Sequence, residues 1–259
     1  MRRIVRSIVA LACVAPLAAG ADGEETAGRP SPLAKETLAA AAKLKREAVG
    51  KKDEAKLEAL VRAAQGYEKA ARDLSGEKAA LAEASFRAGE IWRTLRREED
   101  AGRCFAAAAA ESAGSPAFAA KAWIELGHLD RRQKRFDQAL RHYERALAVT
   151  PQQRRECARA LTWQGKVQIL HKMEKEGHAT LLAVGQRFPE FPLDDIRNVD
   201  LVAVDWIEAG RLAEARSLVE DCLERHSEPQ DDDEEVDPSV RRALDKMKSR
   251  ELLSRPPPR

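Results

Sequence analysis

The residues best suited to chemistry lie at positions 157–178 of the chain. His171, Glu174 and His178 have spacings of three and seven residues, which would place three metal-ligating side chains on one face of a helix. Gly177 and a predicted turn between two helices fall inside this stretch, and no fourth ligand is evident. We therefore interpret the three as solvated turn residues and predict no metal site and no cofactor.

A nucleophile and its base form the second candidate site. Cys157 would be the nucleophile and His171 the base, but no known motif surrounds either residue. The sequence also lacks a glycine-rich phosphate loop, a His-Glu metalloprotease helix and a Gly-x-Ser-x-Gly turn. We therefore predict a protein that is not an enzyme, with an enzyme or an enzyme subunit as the less favoured alternative.

The composition indicates that helices position these residues. The chain has 259 residues, of which 44% are apolar and 5% aromatic. Alanine and other strong helix formers are abundant and β-branched residues are scarce, so we predict an all-α fold. Its 45 Lys and Arg nearly balance 43 Asp and Glu, which gives no case for a nucleic-acid partner. Four cysteines are too few for a disulfide-built scaffold.

Residues 1–21 have the pattern of a secretory signal peptide. Three arginines precede a short apolar run, and small residues follow up to Ala21. The run is shorter than the ~20 apolar residues of a membrane span. We predict cleavage after Ala21, export to the periplasm or the extracellular space, and no transmembrane segment in the mature chain. Two alternatives stay open, namely tethering through an uncleaved N-terminal helix and lipidation at Cys13.

A repeat of 38 residues organises the rest of the chain. Phe105 and Tyr143 are 38 residues apart, and each lies between two alanines on one helix face. Glycines also recur at this interval in the preceding helix, where each costs about 1 kcal/mol relative to alanine. Their recurrence predicts close contact between helices. Each unit should be two antiparallel helices joined by a short turn, with units beginning near residues 44, 82, 120, 158 and 196.

The third unit resembles a tetratricopeptide repeat. Trp123 is followed at the family's spacing by Leu126 and Gly127, and the alanines and tyrosine of the second helix also match. The residues that carry the repeat pattern are Gly89, Phe105, Trp123, Gly127, Ala139, Tyr143, Ala146, Pro151 and Gly165. The resemblance covers about residues 44–229, with four more residues per unit than the family's 34. It implies a right-handed α-solenoid of about five helix pairs.

Changes in composition divide the chain into segments. They are a signal peptide (1–21), a flexible linker (22–32), the repeat array (33–229), an acidic linker (230–237), a C-terminal helix that caps the array (238–253) and a disordered proline-rich tail (254–259).

The resemblance also implies a binding surface, because the first helices of such units line a concave face. The residues at the family's concave positions that we select as candidate ligand contacts are Lys121, Ile124, His128, Arg131, Arg132, Arg159 and Lys166. Most are basic, so the expected partner is an acidic, partly apolar protein or peptide. The implied function is a scaffold or adaptor in the bacterial cell envelope, with a factor similar to envelope assembly lipoproteins as the alternative. The oligomeric state stays open.

Overall fold

The computed structural model describes residues 30–149, 152–227 and 237–248, and these ranges contain eleven α-helices and no β-strand. The helices are α1 (Pro32–Arg46), α2 (Asp53–Asp73), α3 (Lys78–Thr94), α4 (Glu98–Ala110), α5 (Pro116–Arg132), α6 (Phe136–Val149), α7 (Arg154–Leu170), α8 (Glu174–Arg187), α9 (Pro192–Glu208), α10 (Leu212–Ser227) and α11 (Pro238–Lys248). Several predictions lie outside the described residues: the signal peptide, most of the linker 22–32, Pro151, residues 230–236 and everything after residue 248.

The helices form five antiparallel pairs stacked side by side. We call α1, α3, α5, α7 and α9 the A helices and their partners α2, α4, α6, α8 and α10 the B helices. The eleventh helix, α11, packs against α9 and α10 at the end of the stack. The predicted right-handed α-solenoid of five helix pairs with a C-terminal capping helix is confirmed.

The 38-residue period is strict from α3 onward. The A helices α3, α5, α7 and α9 begin 38 residues apart and have 17 residues each. Each begins four residues before the predicted start of its unit, so the residues added to the repeat extend the first turn of the A helix. Pro116 and Pro192 stand at the beginning of two of these helices, where a proline ring has the required backbone angle.

The first pair departs from this period. Its A helix begins at Pro32, one residue before the predicted beginning of the array at residue 33 and twelve before the start near residue 44 that the repeat period predicts. The Ser31 hydroxyl caps the helix by accepting a hydrogen bond from the backbone N–H of Ala34, at 3.0 Å. The same hydroxyl donates to the carboxylate of Glu77, at the N-terminus of α3. Ser31 therefore caps α1 and also joins its start to the next unit.

Glycines on the A helices allow close contact with the B helices. A β-carbon added to Gly89 would lie 2.6 Å from the ring of Phe105, and one added to Gly165 would lie 2.8 Å from Leu181. In the fifth unit the equivalent residue is Ala203, and the facing position holds the smaller Val219. The close helix contact predicted from the repeated glycines is confirmed. The size of the B-helix side chain is matched to the space left on the A helix.

The A helices line the concave face of the array. Successive A helices pack on one another across unit boundaries, from α1 through α3, α5 and α7 to α9. Each of the B helices α2, α4, α6 and α8 packs between its own A helix and the next one along the chain. Among the described residues, no helix combines the length and the apolar character that a membrane span requires.

Candidate binding surface on the concave face

Two of the seven predicted ligand contacts are buried. Ile124 is 1% exposed and packs in an apolar cluster with residues of α6 and α7. His128 is 9% exposed, and its Nδ1 lies 2.8 Å from the hydroxyl of Tyr143. The ring of Trp163 on α7 covers His128, with 4.6 Å between ring centroids. Their prediction as surface contacts is wrong, because the next A helix packs over this part of α5.

Two more of the predicted residues pair with carboxylates of neighbouring units. Arg132 donates from Nε to Oε1 of Glu98, at 3.0 Å, so its side chain is directed toward the B helix α4. The Nζ atom of Lys121 lies 3.7 Å from Oε1 of Glu156 on α7. Both residues join adjacent units, and their charges are partly balanced.

The remaining three residues lie on α5 and α7 near Trp163, and we call Arg131, Arg159, Trp163 and Lys166 the Trp163 cluster. The guanidinium carbon of Arg131 lies 4.9 Å from the ring centroid of Trp163, and Nζ of Lys166 lies 5.0 Å from it. Arg159 lies one helical turn before Trp163 on the same side of α7. In the described ranges, none of the three cations forms an ion pair with a carboxylate.

The cluster has a positive electrostatic environment. Burial lowers the pKa of His128 to about 3, and Arg131 and Arg159 are the largest of the cationic contributions that act in the same direction. Burial likewise lowers the pKa of Lys166; Asp194 opposes this effect, while Arg197 and Arg131 add to it. His128 is therefore neutral at neutral pH. An anionic group bound near Trp163 would offset the mutual repulsion of the surrounding cations.

Polar contacts between A helices hold this part of the surface in place. Arg93 on α3 donates to the buried carboxylate of Glu125 on α5, at 2.6 Å. Burial raises the pKa of Glu125, and Arg93 and Arg159 oppose that effect. Asn198 on α9 donates to the hydroxyl of Thr162 on α7, at 3.1 Å. The A helices are thus joined by side-chain hydrogen bonds on both sides of the Trp163 cluster.

The candidate metal and nucleophile sites are not assembled. Nε2 of His171 lies 3.3 Å from Asp137, and Nε2 of His178 lies 2.9 Å from Asp205, so the two histidines have separate partners. Glu174 is exposed at the start of α8. Cys157 is in the first turn of α7, and His171 follows the last turn, which puts them about 21 Å apart at 1.5 Å per residue.

Trp163 was not among the site residues predicted from the sequence. The positions equivalent to it in the units formed by α3, α5 and α9 hold Arg87, Glu125 and Leu201. Trp163 is therefore the one aromatic residue at this register position. Alignment of the units on the 38-residue period would have identified it.

Comparisons with known proteins agree with the repeat architecture. The family model described as "Tetratricopeptide repeat" matches residues 120–153, and no curated protein matches the chain. Among solved structures, MamA from Desulfovibrio magneticus RS-1 is similar, with a TM-score of 0.53, 15% identity, and coverage of 78% of this chain and 100% of that chain. BtubC from P. vanneervenii has a TM-score of 0.53, 16% identity, and coverage of 88% and 96%.

A third similar structure contains the nearly identical TPR-like repeats of a putative kinesin light chain from Podosopora anserina. It has a TM-score of 0.52 and 11% identity, and the match covers 76% of this chain and 98% of that chain. At these identities the likeness concerns the fold. Residues 120–153 match the tetratricopeptide repeat in sequence, and the array of helix pairs has the fold of tetratricopeptide repeat structures.

Proposed function

We propose that this protein is a non-catalytic scaffold whose concave face binds an acidic segment of a partner protein. The observation that carries the proposal is the Trp163 cluster, in which Arg131 and Lys166 lie over the indole ring and Arg159 lies one helical turn away. Within the described ranges, none of the three cations forms an ion pair. Adjacent A helices hold these side chains, so the cluster is part of the stacked array.

The chemistry of the cluster favours a ligand that is acidic and partly apolar. Carboxylates would neutralise the three cations, and an apolar side chain would contact the flat indole of Trp163. Cations near an indole face are already attracted to it and are held in place before a ligand arrives. The expected ligand is an extended peptide with alternating acidic and aliphatic residues.

Peptide binding tests this proposal. A labelled peptide of alternating Glu and Leu should bind in fluorescence anisotropy, with an affinity that falls as salt rises, and the same peptide with Lys for Glu should not bind. Arg131→Ala and Lys166→Ala should each weaken binding by about tenfold, or ~1.4 kcal/mol. Arg132→Ala is the matched control, because Arg132 pairs with Glu98 outside the cluster. Equal binding of both peptides, or equal losses in all three variants, would contradict the proposal.

We also propose that the scaffold acts in the bacterial cell envelope. The arginines and the apolar run of residues 1–21 support this location. Mass spectrometry of the protein purified from its native cells should give a mature chain that begins at Asp22. A lipid on Cys13 would instead support the lipoprotein-like alternative, and a full-length chain recovered from the cytoplasm would refute export.

A further inference from the structure

The last helix pair contains three metal-ligating side chains close together. Asp195 lies in the first turn of α9, and Cys222 and His226 lie one turn apart on α10. One donor atom from each residue can be chosen so that all three lie within 4.8 Å of one another. Asp195 is 2% exposed and Cys222 is fully buried, whereas His226 is partly open to solvent. These residues were not among the sequence-based site candidates.

The cluster contains an internal ion pair. Oδ2 of Asp195 lies 2.8 Å from Nε2 of His226 and accepts a hydrogen bond from Arg225 at 3.1 Å. Burial alone would raise the pKa of Asp195, but the hydrogen bonds from these two residues lower it overall. The Cys222 thiol takes no part in this pair. Burial, together with the charge of Asp195, raises its pKa to about 12.

The equivalent helix contact in the preceding unit is more apolar. The residues equivalent to Asp195, Cys222 and His226 are Cys157, Val184 and Phe188, which belong to one apolar cluster. The fifth unit therefore replaces apolar packing with a carboxylate, a thiol and an imidazole. A buried ion pair is often no more stable than apolar residues of similar volume. Packing alone thus gives no reason for this change.

A further substitution makes room for Asp195. Gly185 on α8 faces it, and a β-carbon there would lie 2.1 Å from Oδ1 of the carboxylate. The equivalent residues in the two preceding units are Ala109 and Leu147. Of these three units, only the fourth has a glycine here that leaves space for a facing carboxylate. Gly185 on α8, Asp195 on α9, and Cys222 and His226 on α10 therefore all differ from the residues at the equivalent positions of the preceding unit.

We propose that Asp195, Cys222 and His226 bind a divalent cation of the zinc class. Oxygen, sulfur and nitrogen donors together suit this borderline-soft ion, and three protein ligands leave a fourth tetrahedral position for water or a partner's side chain. Binding requires the Cys222 thiol and Nε2 of His226 each to release a proton to solvent, and it requires Arg225 to leave Asp195. The Arg225 side chain is 51% exposed and can turn into solvent, and the thiolate and carboxylate then balance the metal charge.

Cobalt titration of the full chain tests this site, because a cobalt–thiolate bond gives charge-transfer absorption. One equivalent of Co²⁺ should produce this band, and Zn²⁺ should abolish it by competition. Cys222→Ser and His226→Gln should each lower the affinity by at least about tenfold. Cys157→Ser, at the position of the fourth unit that is equivalent to Asp195, is the matched control and should leave the titration unchanged. Circular dichroism confirms that each variant is folded.

Arg225→Ala separates a metal site from a structural ion pair. If the cluster binds metal, this substitution removes a competitor for Asp195 and should strengthen cobalt binding. If the cluster is an ion pair alone, the substitution lowers stability and no charge-transfer band develops in any variant. Absence of the band in the unmodified chain, or a band that persists unchanged in Cys222→Ser, would overturn the proposal.

Discussion

The ring of Tyr143 lies so close to Gly127 that a β-carbon at residue 127 would be 2.6 Å from Cε1 of the ring. Tyr143 is fully buried, and its hydroxyl forms the hydrogen bond with His128 one residue further along α5. One B-helix side chain therefore occupies the space left by a glycine and also pairs with a buried histidine. This contact lies at the centre of the repeat that matches the family model.

Gly127→Ala should destabilise the protein although alanine is the better helix former. The added methyl group must displace the Tyr143 ring, and overpacking of this kind costs about 1–3 kcal/mol. Gly102→Ala is the matched control, because a β-carbon there would lie at an ordinary contact distance of 3.7 Å from Cδ1 of Leu129. That variant should gain up to about 1 kcal/mol. Urea unfolding measures both changes, and stabilisation by Gly127→Ala would contradict the packing argument.

His128 should make the fold less stable as pH falls below about 6.5. Its pKa is lowered to about 3 in the folded protein, so between these values the unfolded chain binds a proton that the folded chain does not. Because of this group, the free energy of unfolding should fall by up to about 1.4 kcal/mol for each unit by which the pH is lowered. The slope between pH 6.5 and about 4.5 should be smaller in His128→Gln. Equal slopes in the two proteins would refute this contribution.

Met247→Ala should release α11 from the array. Met247 is 1% exposed and packs with Val240 and Leu244 against residues of α9 and α10. Truncation of a buried methionine costs about 2–5 kcal/mol, but the loss here cannot exceed the free energy that holds α11 in place. Hydrogen exchange should therefore accelerate across 238–248. Arg241→Ala, at an exposed position of the same helix, should leave this exchange rate unchanged.

The cysteines at positions 104, 157 and 222 should be unreactive in the folded protein. All three are buried, and burial raises the pKa of each thiol, to about 12 for Cys104 and Cys222. Since the thiolate is the reactive form, a thiol-specific chromogenic reagent should modify these residues only after unfolding. Rapid modification of any of them in the native state, located by peptide mass spectrometry, would show that its helix contact opens.

The repeat architecture was predictable because helix packing imposes a period on residue size. Phe105 and Tyr143 face glycines in the same register, and this pattern is visible without coordinates. The first residues of the A helices were harder to predict, because the additional turn at the start of each A helix has no sequence pattern typical of the family. Pro116 and Pro192 mark it in two units, and no proline marks it in α7.

The candidate surface was harder to predict than the fold. Family positions place Ile124 and His128 on the concave face, but the large ring of Trp163 on the next unit covers His128. A contact across the unit boundary depends on side-chain volume in both units, which positions within one repeat do not describe. The cluster of Asp195, Cys222 and His226 was not predicted from the sequence for a related reason. Its members are 27 or more residues apart in sequence, apart from the Cys222–His226 turn, and they meet through the α9–α10 pair.

The stacking of neighbouring units also determines how the molecule would respond to tension. The main helix contacts join elements that are one or two positions apart in chain order, so a pulling force along the array acts on the units in series. The boundary with the weakest packing between two units would separate first. The chain would lengthen there while the other units stayed packed. A partner held at the Trp163 cluster, which bridges α5 and α7, would clamp one boundary and leave extension to the others.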